Sequence, residues 1–155
     1  MSQEDFLRKM ILFKSLDDAE LVNILSLCNT KRYTAASRIF AEGDPASRLY
    51  MIRDGEVRIS RMIPGAGEEA LAVLKPGDFF GEMALIDESV RSAYAIANTD
   101  CTLMEIGIRD LQDHLNSNDR VAVKMLSAFC RILASRLRAT NDRFYGLFAM
   151  TQFFK

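Results

Sequence analysis

The chain has 155 residues, long enough for one domain with a substantial hydrophobic core. Its 20 basic side chains against 21 acidic ones give a net charge of -1, so no global field draws it to nucleic acid or an anionic membrane. Composition is that of a soluble globular protein, 49% hydrophobic and 26% charged, and no apolar run approaches the roughly 20 residues of a membrane span.

Three zones follow one another within a single expected domain over residues 1–155. Residues 1–29 read as helical, because Phe6, Leu7, Met10 and Ile11, then Leu21, Ile24, Leu25 and Cys28, recur at three- and four-residue steps. Asp17, with Glu20 three residues on, predicts a capping box that opens the second helix. Residues 30–107 hold seven of the eight glycines and all three prolines, which punctuate short stretches with two-residue alternation. Leu49–Ile52 runs to the turn signal Asp54-Gly55, and Val57–Ser60 alternates after it. Pro64–Gly67 separates that strand from Ala70–Leu74, and Ser92–Ala97 and Thr102–Ile106 supply two more. Many short strands at regular spacing predict a sandwich or barrel-like roll.

Residues 108–155 turn helical again. A short segment, Arg109–Asn116, leads to Asn118-Asp119, where a cap can start a long helix. Val123, Cys130, Leu137 and Phe144 then occupy one heptad position, and Leu126, Leu133, Thr140 and Leu147 another. A seam of about four heptads either pairs with a second copy or packs on the roll. A helix of roughly 45 Å outruns a roll of this size, which favours a homodimer.

The chemistry concentrates in Phe79-Phe80-Gly81-Glu82-Met83-Ala84-Leu85-Ile86 and in Arg91-Ser92-Ala93. This is a strand end, a glycine, one apolar helical turn, a loop and an arginine. A helix start presents unpaired N–H groups, and Gly81 lets a ligand approach that backbone closely. Arg91 can lay two parallel donors on a phosphodiester anion, with the Ser92 hydroxyl beside it. Glu82 would repel a phosphate, so its carboxylate suits a sugar hydroxyl some distance away. One anion cradle and one hydroxyl acceptor fit a nucleotide with a free 2′-OH and a single phosphate charge.

Phe80–Leu85 followed by Arg91-Ser92-Ala93 resembles the phosphate-binding cassette of the cyclic-nucleotide-binding domain family. Arg38–Ala46 and Leu49–Val57 look like that family's opening strands, and the likeness spans residues 10–148. The resemblance implies a mainly β fold with α: an eight-stranded jelly-roll with N-terminal helices and a long C-terminal helix. It also implies that Gly81, Glu82, Met83 and Ala84 line the ribose-phosphate side. Glu82 would take the 2′-OH, and Arg91 and Ser92 the cyclic phosphate. Within the family the likeness is greatest to the bacterial catabolite-activator branch, whose long helix carries a Thr-Ser pair that reaches adenine, one residue from each protomer. Thr140 stands at the first of those positions and Asn141 at the second. Ser92 favours cAMP over cGMP, because family members selecting cGMP often place threonine there.

The expected protein is therefore a cytoplasmic, homodimeric sensor of cAMP, with cGMP second, that binds its ligand without transforming it. Members of the catabolite-activator branch continue past the position of Phe148 into a helix-turn-helix domain, whereas this sequence ends seven residues later. The output is thus expected to pass to a separate protein partner, with DNA binding not expected from this chain alone. The alternatives are the sensor part of a transcription regulator and a ligand-free dimeric scaffold. A phosphodiesterase would need a metal pair or a positioned acid and base, and no His/Asp cluster supplies one. The single histidine, His114, reads as exposed, and its count excludes a metal-dependent cupin enzyme. No metal or cofactor beyond the nucleotide is expected.

The remaining features have plainer readings. Cys28, Cys101 and Cys130 are odd in number without paired spacing, so they read as buried or half-buried thiols rather than a disulfide framework or zinc site. Arg131, Arg136, Arg138 and Arg143 spread around the last helix as a solvated face. Phe148, Phe153 and Phe154 either fold back on the roll or form a docking surface.

Overall fold

The computed structural model describes residues 1–87 and 89–153. Two short helices, α1 (Gln3–Lys9) and α2 (Asp18–Ser26), precede eight strands: β1 (Cys28–Tyr33), β2 (Arg38–Phe40), β3 (Arg48–Asp54), β4 (Val57–Ile63), β5 (Gly67–Leu74), β6 (Phe79–Phe80), β7 (Tyr94–Ala97) and β8 (Cys101–Gly107). A five-residue helix, α3 (Met83–Asp87), interrupts them after β6, and α4 (Ile108–Asn116) and α5 (Asp119–Gln152) close the chain. The strands form two antiparallel four-stranded sheets, ordered β1-β8-β3-β6 and β2-β7-β4-β5. This is the expected jelly-roll with its helical flanks.

The first sheet is covered on both faces, which explains why Leu49-Tyr50-Met51-Ile52 is apolar without a break. Leu49 and Met51 on β3, Met104 and Ile106 on β8 and Phe79 on β6 pack against the helices. Tyr50, Ile52, Leu103 and Phe80 turn the other way, into the roll. There they pack against Val57 of β4 and Ala95 and Ala97 of β7 in the second sheet. Glu105 is the buried charge of this sheet. Its carboxylate accepts the Tyr33 hydroxyl at 2.6 Å and faces Arg48 at 3.5 Å.

Local chemistry sets the ends of the elements. The Asp17 carboxylate accepts the Glu20 N–H at 2.9 Å and the Glu20 side chain accepts the Asp17 N–H at 2.8 Å, closing the capping box read from the sequence. Ser2 and Asp5 form a second box at α1 that the sequence reading did not pick out. The Asp54-Gly55 turn joins β3 to β4 with Gly55 at φ +83°, and a Cβ there would lie 2.2 Å from the Asp100 carbonyl oxygen.

Several expectations need correction. The β zone begins at Cys28, which opens β1 instead of continuing α2; burial pushes its thiol up to about 12. Asn118 does stand before the long helix, but makes no side-chain cap. Its amide donates to the His114 carbonyl at 2.8 Å, tying α5 to the end of α4. His114 is half-buried rather than exposed, and Cys130 is exposed rather than buried. Phe148 and Phe153 do not fold back on the roll; they are 57% and 88% exposed, and Phe154 lies outside the described residues.

α5 presents two faces. Val121, Met125, Ala128 and Phe129 are buried against the rest of the chain, with Phe129 edge-on to Phe79 at 5.9 Å. The heptad seam lies elsewhere: Val123, Leu126, Leu137, Phe144 and Leu147 are all exposed. The seam is therefore not the stripe that packs on the roll. Among the described residues no helix is long and apolar enough to cross a membrane.

Gly55→Ala adds a clash to a left-handed conformation, whereas Gly77→Ala at φ +93° meets open space. Urea unfolding should show Gly77→Ala costing about 1 kcal/mol and Gly55→Ala at least about 2 kcal/mol more.

Candidate functional site

The loop after β6 and the segment leading into β7 converge on a cavity of about 520 Å³ whose third wall is α5. Gly81, Glu82, Met83, Ala84, Arg91, Ser92 and Thr140 all line it. Seven of the eight candidate residues thus meet in one place. Asn141 does not join them; it lines a shallow depression with Phe144, Tyr145 and Phe148 on another side of the same helix.

Arg91 organises the cavity. Its backbone is clamped to the loop between β2 and β3: the Arg91 N–H donates to the Asp44 carbonyl at 2.9 Å, and the Arg91 carbonyl accepts from Gly43 at 2.8 Å. The side chain is only 5% exposed. Its guanidinium donates to the Arg48 carbonyl at 2.7 Å and the Gly81 carbonyl at 3.3 Å. It lies over the Phe40 ring at 4.2 Å and near the Tyr50 ring at 5.5 Å. Among the described residues no carboxylate stands within ion-pair distance of it, Asp87 included. Among the described residues its buried Nε also has no hydrogen-bond partner. Burial holds the group below its ordinary arginine value, although arginine's high starting point keeps it charged. A buried cation resting on carbonyl dipoles and ring faces, with a free N–H, is prepared to receive an anion.

Gly81 makes that placement feasible. At φ +80° it turns the chain out of β6, and a Cβ there would lie 2.6 Å from Arg91 Nη1 and 2.9 Å from the Arg48 carbonyl. The opening turn of α3 follows, where the first N–H groups have no helical partner. Ala84 and Leu85 bury the inner face of this turn, leaving Met83 half-exposed at the cavity. Ser92 is exposed at the cavity edge beside Arg91.

Glu82 is 6% exposed and pairs with Arg136 of α5. Arg136 also donates to the Phe79 carbonyl at 2.9 Å and lies over the Phe79 ring at 4.8 Å. The sequence reading placed Arg136 on a solvated face, and that is overturned: it latches α5 to the cassette. Arg143, read in the same way, lines the cavity and donates to the Leu71 carbonyl at 3.2 Å. Both lie on the stripe that continues Val121, Met125, Ala128 and Ile132 at three- and four-residue steps, a register that marks the inward face. Their charge masked that register. Among the described residues no group of His, Cys, Asp or Glu could hold a metal ion.

The family comparison defines the class of protein, a cyclic nucleotide-binding domain. The chain belongs to the cyclic nucleotide-binding domain family, whose profile matches residues 30–118. It is 36% identical over 130 residues to the cyclic AMP receptor protein of Thermus thermophilus, covering 84% of this chain and 58% of that protein. It is also similar to the N-terminal domain of a transcriptional regulator from Streptomyces coelicolor A3(2), at 37% identity and a TM-score of 0.74, covering 89% of this chain and 96% of that one. The regulatory domain of Toxoplasma gondii PKA, solved with cAMP, matches at 33% identity and a TM-score of 0.64, covering 74% and 42%. The chain spans between 21% and 62% of the length of the curated relatives it matches.

Arg136→Ala leaves the Glu82 carboxylate buried and unpaired. Discounted for the 40% exposure of the Arg136 side chain, the loss in urea unfolding should be about 1–2 kcal/mol. Adding Glu82→Gln should recover at least half of it, and strict additivity of the two changes would show that the pair is not coupled.

Proposed function

We propose that the chain is a sensor module that binds cAMP in this cavity, reports it through α5 and leaves it chemically intact. The carrying observation is the buried Arg91 guanidinium, which among the described residues has no carboxylate partner and whose Nε–H is unpaired. In this reading the singly charged cyclic phosphate takes two N–H donors from Arg91 and the Ser92 hydroxyl. The ribose 2′-OH donates to Glu82, which then divides its oxygens between the sugar and Arg136. The purine extends along α5 to Thr140, whose hydroxyl donates to the Arg136 carbonyl at 3.0 Å. That bond leaves the Thr140 lone pairs to accept from an exocyclic amine, which adenine carries at C6.

A ligand can shift a conformational equilibrium only through contacts that differ between two states. Here the differential contact is at Arg136, which joins α5 to the glutamate that the sugar also uses. The exposed seam from Val123 to Leu147 supports a parallel pairing of two α5 helices, and Asn141, away from its own cavity, is then available to the partner's. The Toxoplasma relative was solved with cAMP, and the Thermus relative bears the name of a cyclic AMP receptor; both support the choice of ligand. A second reading, the sensor part of a larger transcription regulator, is favoured by the likeness to the Streptomyces regulator domain. It keeps the same ligand chemistry.

Calorimetry should give a micromolar or tighter Kd for cAMP, with 5′-AMP much weaker. Arg91→Ala should weaken cAMP by roughly thirty- to several-thousand-fold, the cost of removing one side of a desolvated charge pair; a loss below about threefold contradicts the phosphate assignment. Sedimentation equilibrium should show a dimer, and Leu137→Glu, a charge at the middle of the seam, should raise its dissociation constant at least about a hundredfold.

A further inference from the structure

We propose that Phe40 limits how tightly the cavity holds an anion: its ring stabilises the empty site more than the occupied one. The inference rests on the cyclic-nucleotide reading above and concerns the affinity of that same site. Phe40 ends β2 and lines the cavity, and the Arg91 guanidinium lies over its ring at 4.2 Å. The face of an aromatic ring is the negative end of its quadrupole, so it attracts the cation. Among the described residues no carboxylate stands within ion-pair distance of Arg91. The Phe40 ring, with the Tyr50 ring at 5.5 Å, therefore does in the empty cavity what a countercharge would do.

That attraction weakens when an anion arrives. A phosphate beside the guanidinium turns a bare cation into a nearly neutral pair, and the ring face that attracts the positive member repels the negative one. The ring thus stabilises the ligand-free chain more than the complex, and the difference is subtracted from the binding free energy. The ring is also held where it is. Its centroid lies 5.7 Å from that of Tyr50 and 5.9 Å from that of Phe80, and those two buried rings stack on each other at 5.0 Å. Its backbone pairs with Ala95 of β7, and the next residue, Ala41, donates its N–H to the Asp44 carboxylate at 2.8 Å. Burial of the guanidinium strengthens the effect, because the attraction is greatest away from water. A carboxylate in place of the ring would compete with the phosphate outright, and an aliphatic side chain would leave the buried cation unanswered. The ring lies between these extremes, stabilising the charge without an oxygen that competes for its N–H groups.

The test is calorimetry with cAMP on the full chain carrying mono-, di- or trifluorophenylalanine at position 40. Fluorination keeps the shape of the ring and progressively strips its face of negative potential. The Kd for cAMP should fall at each step, by about two- to tenfold over the series, while the ligand-free chain loses stability in urea. Phe40→Leu removes the ring face and should lower the Kd as well; the fluorinated series keeps the test standing if that variant folds poorly. A ring that only fills space would leave the Kd unmoved by fluorination, and a ring that aligns the guanidinium for its ligand would raise it. Either result overturns the proposal. Failure of the unsubstituted chain to bind any cyclic nucleotide would instead overturn the parent reading, and this inference with it.

Discussion

A guanidinium buried, among the described residues, without a carboxylate is the constraint on which the rest of this structure depends. A charge withdrawn from water costs several kcal/mol unless something answers it, and the answer at Arg91 is incomplete. Two carbonyls and two ring faces hold it, yet among the described residues the buried Nε–H has no partner. Much of the surrounding architecture serves that placement. The β2–β3 loop clamps the Arg91 backbone, β3 lends the Arg48 carbonyl, and Gly81 leaves the space a Cβ would fill. Arg48 is itself steadied by Glu105, which Tyr33 holds from β1. The unsatisfied donor is thus maintained by strands of both sheets, and in the proposed reading a ligand's anionic oxygen would complete it.

The second link is the one between cavity and helix. α5 is fastened near its start by apolar packing of Val121, Met125 and Phe129, and further along by arginines on carbonyls and on Glu82. The character of the contact therefore changes along its length. The near part is held by burial, which is insensitive to ligand, and the far part by polar contacts that share groups with the nucleotide site. A change at Glu82 acts on the far part, where the exposed seam residues Leu137, Phe144 and Leu147 lie. In the proposed reading, that division would give a change at Glu82 a route to the exposed seam.

The sequence showed much of this directly. The cassette was legible because its chemistry is contiguous: a glycine at a left-handed turn, a carboxylate, small residues and an arginine ten positions on all act within one loop. The capping box at Asp17 and Glu20 was legible for the same reason. The seam could be separated from the inward stripe only in part. Both are apolar up to Ile132, but beyond it the inward positions become Arg136 and Arg143, and charge there looks like solvent exposure. Their partners, a carbonyl of β6, a carbonyl of β5 and a glutamate 54 residues away, are fixed by tertiary structure alone. Asn118 was misread because its amide found a carbonyl of the preceding helix instead of its own N-terminus. Cys130 was misread because its seam faces away from its own chain.

The account is tested most directly at a single atom. In NMR spectra of the protein with and without cAMP, the Arg91 Hε–Nε resonance reports the donor that lacks a partner. The account predicts that nucleotide moves the proton downfield and slows its exchange with water, as expected for a new bond to an anionic oxygen. If cAMP binds, shifts other resonances of the cavity and leaves that proton unmoved, the claim that this guanidinium receives the phosphate is wrong.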